Sequence, residues 1–256
     1  MKNLIIKLTL IATLVVVCNS ASAAYTDTSS NFLLWHCDST NSDGTTATTP
    51  DDNSSGRTAH PLQINHGGEA VMMPGSPYGG SYLYMDGSDQ CTAWGTYEGD
   101  KDNVSLNFSF RPHAFPAAGE YDQLLWTIGP RIYLYGNVVQ SLTYDAAAGA
   151  HFITSSKTLS LDTWYSVSYS SDNGSGEEML IVGNDTDGYT TNTSTALPNL
   201  YWVDGYTFVL LGWDINAGAE RFANADFDEI RAYTIPEPIT IGFIGLVGFL
   251  ALRRRK

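Results

Sequence analysis

Basic residues are scarce in this chain. It has 13 Lys+Arg against 27 Asp+Glu, a formal net charge of -14 at pH 7. Six of those cations lie in the two end segments, so residues 24–235 hold 7 against 26 carboxylates, a net charge of about −19. A surface this acidic repels nucleic acid and anionic lipid, and neither is an expected partner of the central region. It suits a soluble extracellular protein and, among ligands, divalent cations. Helical periodicity is also missing between residues 24 and 235. Lys and Glu are few there while Gly, Ser, Thr, Asn and Tyr are many, a composition that favours strands and turns. Cysteine is rare, with only Cys18, Cys37 and Cys91. Their spacing supports neither a zinc nor a haem site. No Ser-His-Asp ordering, phosphate-binding loop or metal-ligand spacing stands out.

What is present at the two ends reads as addressing. Lys2 and Lys7 flank the start of an apolar run from Leu8 to Val17, which leads into Ala21-Ser22-Ala23. A basic start, a short apolar core and a small-residue cleavage site make a signal peptide over residues 1–23. The run is too short for a permanent anchor. Val17 stands where a lipoprotein site before Cys18 would want a small residue. At the other end Pro236-Glu237-Pro238 precedes the apolar stretch Ile239 to Leu252, which stops at Arg253-Arg254-Arg255-Lys256. A helix over 238–252 reaches about 22 Å. That is a short transmembrane helix, below the roughly 30 Å hydrocarbon core unless side chains snorkel or the bilayer thins. Its cationic end would stay cytoplasmic and leave the main region outside. An ordinary tail anchor is the bland alternative.

This order of three parts resembles the PEP-CTERM sorting signal of Gram-negative bacteria. The resemblance covers only residues 236–256. It implies an exosortase-type processing enzyme, transient anchoring in the inner membrane, then release or attachment at the cell surface. Removal of Cys18 with the signal peptide leaves Cys37 and Cys91, an even pair that reads as a disulfide in an exported protein. Closing that loop would contribute on the order of 4 kcal/mol. Two separate buried thiols are the alternative.

Residues 24–235 amount to one domain. Residues 24–30 are a polar lead-in, Asn31 to Cys37 opens the folded region, and 38–61 form a loop rich in Ser, Thr, Asp, Gly and Pro. Short period-2 runs follow. In Val104 to Arg111, Leu106, Phe108 and Phe110 oppose Ser105, Asn107, Ser109 and Arg111. Ile132 and Leu134 oppose Arg131, Tyr133 and Tyr135; Tyr165, Val167 and Tyr169 oppose Ser166 and Ser168. Met179 to Val182 and Thr207 to Trp213 are apolar throughout, as strands buried on both faces would be. Asp172-Asn173-Gly174 and Asn184-Asp185 mark turns. Strands this short must pair into two sheets over one core. The expected fold is all-β, a two-sheet antiparallel β-sandwich.

Four stretches, in order, resemble a LamG-like, concanavalin A-like jelly roll: Gly80 to Gly87 (GSYLYMDG), Asn103 to Pro112 (NVSLNFSFRP), Leu159 to Tyr169 (LSLDTWYSVSY) and Ala225 to Tyr233 (ADFDEIRAY). The second departs from the family in having Phe108 or Phe110 where Trp is common. The resemblance implies that the first strand, Phe32 to Trp35, lies beside the last. Alternation fails at Asp228-Glu229, where a bulge would let Phe227 and Ile230 both face inward. Asp228 and Arg231 would then hold that strand by charge-assisted hydrogen bonds. Jelly rolls of this type often hold calcium, for which the clusters Asp86-Gly87-Ser88-Asp89 and Asp185-Thr186-Asp187 are candidates. Aspartates capping their own turns are the competing reading.

Catalytic signatures are weak. A retaining glucanase needs two carboxylates about 5 to 5.5 Å apart. Glu98-Gly99-Asp100-Lys101-Asp102 lacks the final Glu of the E-x-D-x-E pattern and reads as a solvated loop. Arg57 to His60 and Gln63 to His66 have the wrong spacing for a jelly-roll lyase. A glycan surface would instead need exposed aromatic rings with polar partners. Arg131, Tyr133 and Tyr135 on one strand face, and Tyr201-Trp202, are the candidate ligand contacts. The expectation is a non-enzymatic cell-surface or extracellular-matrix protein that binds glycan or acts within the exopolysaccharide layer. The alternatives are an exported polysaccharide-cleaving enzyme and a coat component without a ligand. Clustered carboxylates in a concave face would favour the enzyme, and an exposed aromatic row would favour the binder.

Overall fold

The computed structural model describes residues 31–37, 41–42, 47–49, 62–65, 71–87, 90–95, 103–127, 130–145, 149–172, 176–195, 207–211 and 222–234. Residues 1–30, the Pro236-Glu237-Pro238 tail, Asp89, Tyr201, Trp202, His60, His66 and the 98–102 carboxylates lie outside them. In chain order the strands are β1 (Asn31–Trp35), β2 (Asn41–Ser42), β3 (Ala47–Thr49), β4 (Leu62–Asn65), β5 (Val71–Pro74) and β6 (Ser81–Asp86). Then come β7 (Gln90–Gly95), β8 (Asn103–Pro112), β9 (Tyr121–Trp126), β10 (Arg131–Tyr135), β11 (Val138–Asp145) and β12 (Gly149–Thr154). The last five are β13 (Tyr165–Asp172), β14 (Glu177–Asn184), β15 (Gly188–Ser194), β16 (Thr207–Leu211) and β17 (Asn224–Thr234).

These strands form two antiparallel sheets. The first runs β15-β14-β13-β8-β17-β6-β5, with β1 also on β17. The second runs β12-β11-β10-β9-β16-β7-β4-β3-β2. Alternation explains how they meet. Leu106, Phe108 and Phe110 of β8 and Tyr165, Val167 and Tyr169 of β13 are buried in the shared core. The second sheet answers with Leu124, Leu125, Ile132, Leu134, Val139 and Ile153. The rings pack tilted, Phe108 6.0 Å from Phe110 and 6.3 Å from Phe227. Burying one such side chain contributes roughly 1.5–3 kcal/mol, and the rings themselves favour these offsets over a stacked sandwich.

The last strand shows how local sequence sets topology. Asp228 pairs with Ser109, but Arg231 pairs with Asn107, so one extra residue is inserted in β17. Glu229 takes the left-handed backbone (φ 49), and Phe227 and Ile230 both reach the core. On its other side β17 pairs with β6 through Phe227 and with β1 from Ile230 onward, so the bulge falls where one neighbour replaces the other. Asp228 accepts from the Glu229 amide at 2.8 Å and from the Ser76 hydroxyl. His36 Nδ1 lies 2.9 Å from Oε1 of Glu229.

One side of the sandwich is clasped by the crossing segment 155–160. Ser155 Oγ lies 3.2 Å from Thr190 Oγ1, and Asn192 Oδ1 accepts from the Ser156 amide at 3.2 Å. Residues 38–61, expected as a loop throughout, contain β2 and β3. Cross-strand pairing to β4 recruits these polar residues despite their lack of alternation, as context-dependent strand preference allows.

Candidate functional site

The outer face of the second sheet is built on the β10–β11 hairpin. Gly136 takes φ 54 in its two-residue Gly136-Asn137 turn, a position where a side chain would be strained. Tyr135 pairs with Val138, Tyr133 with Gln140 and Arg131 with Leu142. Across the next ladder Leu142 pairs with Phe152, Tyr144 with Ala150 and Gln140 with Thr154. Directly opposed residues share a face. Ile132 and Val139 are in the core, so Arg131, Tyr133, Tyr135, Leu142, Tyr144 and Phe152 all point the other way.

Three of these rings stand in solvent: Phe152 is 56% exposed, Tyr135 40% and Tyr144 38%. Arg131 packs its guanidinium carbon 5.3 Å from the centre of the Tyr144 ring, a cation–π contact. Gln140 Nε2 donates to Thr154 Oγ1 at 2.8 Å on the same face. Tyr133 shares that face but is buried, edge-on to Tyr121 with ring centres 4.6 Å apart. Of the three β10 candidates, then, Tyr135 is an open ring, Arg131 is part-buried and Tyr133 is a buried support. Beneath them the ladder shifts register between Ile132 and Tyr133. Buried Gln123 spans the irregularity, its Nε2 donating to Leu125 O at 2.6 Å and Ile132 O at 2.8 Å. That satisfies carbonyls the broken ladder would leave open.

Sequence reasoning missed Tyr144 and Phe152. In β11 the inward positions include Ser141 and Thr143, both buried, while Leu142 and Tyr144 face out. The usual binary pattern is inverted there, so the outward rings carry no sign of exposure in the sequence. Once the face of β10 was assigned, the β10–β11 register was the signal that could have found them.

A second aromatic cluster lies on the outer face of the first sheet. Arg111 donates from Nε to Asp226 Oδ2 at 2.5 Å and from Nη2 to the Tyr82 hydroxyl at 3.1 Å. Its guanidinium carbon also sits 5.1 Å from the Tyr82 ring centre and 5.4 Å from that of Trp164. Burial opposes the Arg111 charge, but the Asp226 carboxylate and Tyr82 outweigh it and raise the pKa. His113 places Nδ1 2.7 Å from Asp162 Oδ1 and Nε2 3.0 Å from Asp226 Oδ2. Tyr78 meets Trp164 edge-on and lies 3.4 Å from Ser166 Oγ through its hydroxyl. Burial, then the charges of Asp228 and Asp185, raise the Tyr78 phenol above its ordinary range, against hydrogen bonds from Ser109 and Ser166. The cluster seats the Gly75–Gly80 turn across β17 and β13. Asp226 and Asp228 sit two apart on one strand face, the spacing a glycosidase would use. Both are fully buried and already bonded.

The remaining candidates are dispersed. Asp86 pairs across from Asn224. Asp185 and Asp187 sit in the β14–β15 turn, four strand spacings or roughly 19 Å away. Asp185 Oδ1 accepts from the Tyr189 hydroxyl at 3.0 Å, and Asp187 Oδ2 from Asn184 Nδ2 at 3.2 Å. Asp187 in turn donates its amide to Asn184 Oδ1 at 2.7 Å. These are the bonds of a capped turn. Among the described residues no group of three or more His, Cys, Asp or Glu could hold a metal ion. Cys37 is buried just after β1 of the first sheet, whereas Cys91 lies on β7 of the second, its side chain outside the described set.

The molecule is therefore an all-β sandwich-type protein with one open aromatic face among the described residues. No family model matches the chain, and no curated protein matches it in sequence. In three dimensions it is similar to botulinum neurotoxin binding domains. The type G receptor binding domain shares 15% identity and a TM-score of 0.52, over 79% of this chain and 47% of that one. The binding domain of botulinum neurotoxin DC in complex with SialylT gives 13% and 0.55, over 85% and 51%. The serotype D binding domain gives 14% and 0.54, over 85% and 52%. The chain spans about half the length of these structures, and at such identities the likeness is one of fold.

Proposed function

We propose that this is an exported, non-catalytic surface protein that holds extracellular glycan on the outer face of β10–β12. The carrying observation is the grouping of Tyr135, Tyr144 and Phe152, all open to solvent, around Arg131 and Gln140. Exposed rings offer stacking surface to the apolar faces of sugars, and the amide and guanidinium offer hydrogen bonds to hydroxyls. The outward positions of β10, β11 and β12 carry no Asp or Glu, so this face has groups to hold a sugar and no acid/base pair to cleave it.

The likeness to a LamG-like, concanavalin A-like jelly roll is part of this proposal. It is supported by two antiparallel sheets, by β1 lying beside β17, and by similarity to domains one of which is described in complex with SialylT. The signal-like start and the Pro236-Glu237-Pro238 tail support delivery to the surface of a Gram-negative cell through an exosortase-type enzyme. Calcium belongs to the proposal only as a ligand of the Asp86 or Asp185/Asp187 turns.

A glycan array probed with the full chain, with and without chelator, tests the reading. Binding that Tyr144→Ala and Phe152→Ala each weaken about tenfold is expected. Release of reducing sugar or unsaturated uronate from the same panel would favour the cleaving alternative.

A further inference from the structure

The charge balance and the spacing of the open rings narrow the ligand. We infer that the β10–β12 face takes an internal stretch of a neutral, linear polysaccharide, laid diagonally from Phe152 to Tyr135; this rests on the glycan-binding reading above. Phe152 and Tyr144 are diagonal neighbours on adjacent strands, about 7–8 Å apart. Phe152 stands two strands and four residues from Tyr135, on the order of 17 Å. A single monosaccharide cannot reach both Phe152 and Tyr135, while a chain of several sugars can; Tyr144, opposite Ala150, lies two residues beyond Phe152 along the ladder, past that end of the diagonal. The β10–β11 ladder is continuous from Tyr135–Val138 to the Arg131–Leu142 pair that Phe152 adjoins, so among the described residues nothing on it closes the row for a chain terminus.

Charge decides between neutral and acidic polymers. Arg131 is the one Lys or Arg in β9 to β12, and its guanidinium is packed on Tyr144. A uronate-rich chain carries a carboxylate on sugar after sugar. One cation answers one of them and leaves the rest facing a protein of net charge -14. A neutral chain meets no such opposition and gains from each ring it covers. Gln140, already oriented by Thr154, has amide hydrogen-bonding capacity left for a hydroxyl between Tyr135 and Phe152.

The test is titration calorimetry of the full chain with neutral gluco-oligosaccharides of increasing length and with oligo-uronates, each at low and high salt. Affinity for the neutral series should rise with length and then level off, with no change between the two salts. Phe152→Ala and Tyr135→Ala should each weaken it about tenfold, and both variants should flatten the dependence on length. Binding confined to oligo-uronates and weakened by salt would overturn the neutral class while leaving the face in place. Equal affinity for short and long neutral chains would overturn the linear mode. Neutral binding that survives both substitutions would remove the face itself, and no binding to either series would remove the glycan reading with it.

Discussion

Arg131 and Tyr144, on neighbouring strands, are locked together with the guanidinium carbon 5.3 Å from the ring centre. At a site this open the contact is worth about 0.5–1 kcal/mol. Tyr144→Ala should therefore cost less than about 1 kcal/mol of stability in urea unfolding. Its effect on glycan affinity should be larger, about tenfold. A variant that melts as wild type and binds as wild type would show that the ring serves neither purpose.

Gly183 lies under Tyr189 on the β14–β15 ladder, an arrangement in which an aromatic ring covers a strand glycine. A Cβ there would stand 2.4 Å from Gly188 O and 2.5 Å from Tyr189 Cα, both backbone atoms that cannot swing away. Gly183→Ala should cost about 1–3 kcal/mol. At about 2–4 °C per kcal/mol, a melting curve resolves that readily. Tyr189→Phe keeps the ring and loses only the hydroxyl's bonds to Asp185 and Ser166, so its effect should be milder.

Asp226 is fully buried and depends on Arg111. Removing one partner of a buried pair strands the other charge. Arg111→Met should cost about 3 kcal/mol, the low end of that range because the Arg111 side chain keeps 26% of its exposure. Glycan affinity of the folded variant should be unchanged, because this cluster lies on the opposite sheet. Loss of binding at full stability would move the site to the Arg111 cluster.

Alkaline pH should destabilise the fold. Burial raises the phenols of Tyr78, Tyr169 and Tyr189 above the ordinary range, helped by Glu178 at Tyr169 and by Asp185 at Tyr189. The unfolded chain ionises these groups near pH 10 while the folded chain does not. Stability is thus full below about pH 10 and falls as pH climbs toward the folded values. Tyrosinate absorbance should show a fraction of the 15 tyrosines ionising only as β-sheet ellipticity is lost. Free ionisation of all of them in a still-folded protein would contradict the burial.

We further propose that, if the protein is exported as proposed, Cys37 and Cys91 form a disulfide, tying the end of β1 to β7 across the two sheets. Intact mass before and after reduction should differ by two hydrogens, and reduction should lower stability by on the order of 4 kcal/mol. Two alkylatable thiols in protein recovered from the oxidising compartment would refute it.

Much of the sandwich was legible in strands where one face is apolar and the other polar. β8 and β13 declare themselves this way, and so does the bulge, through two consecutive charges at Asp228-Glu229 where alternation demands one. Pairing between distant segments was harder to read. β2 and β3 have no apolar stripe and exist only because β4 offers them an edge. The site was half legible for a related reason. Arg131, Tyr133 and Tyr135 share a face by period alone, but only packing against Tyr121 reveals that Tyr133 is sealed off. Tyr144 and Phe152 stayed hidden because small polar residues, Ser141 and Thr143, take the inward positions that apolar residues usually claim.

The most direct test is glycan binding by the full chain and by a Tyr135→Ala, Tyr144→Ala, Phe152→Ala triple variant, beside their melting curves. The account predicts that wild type binds a polysaccharide without cleaving it, and that the triple variant folds with nearly unchanged stability and binds none. A triple variant that binds like wild type, or a wild type that releases sugar fragments, would contradict it.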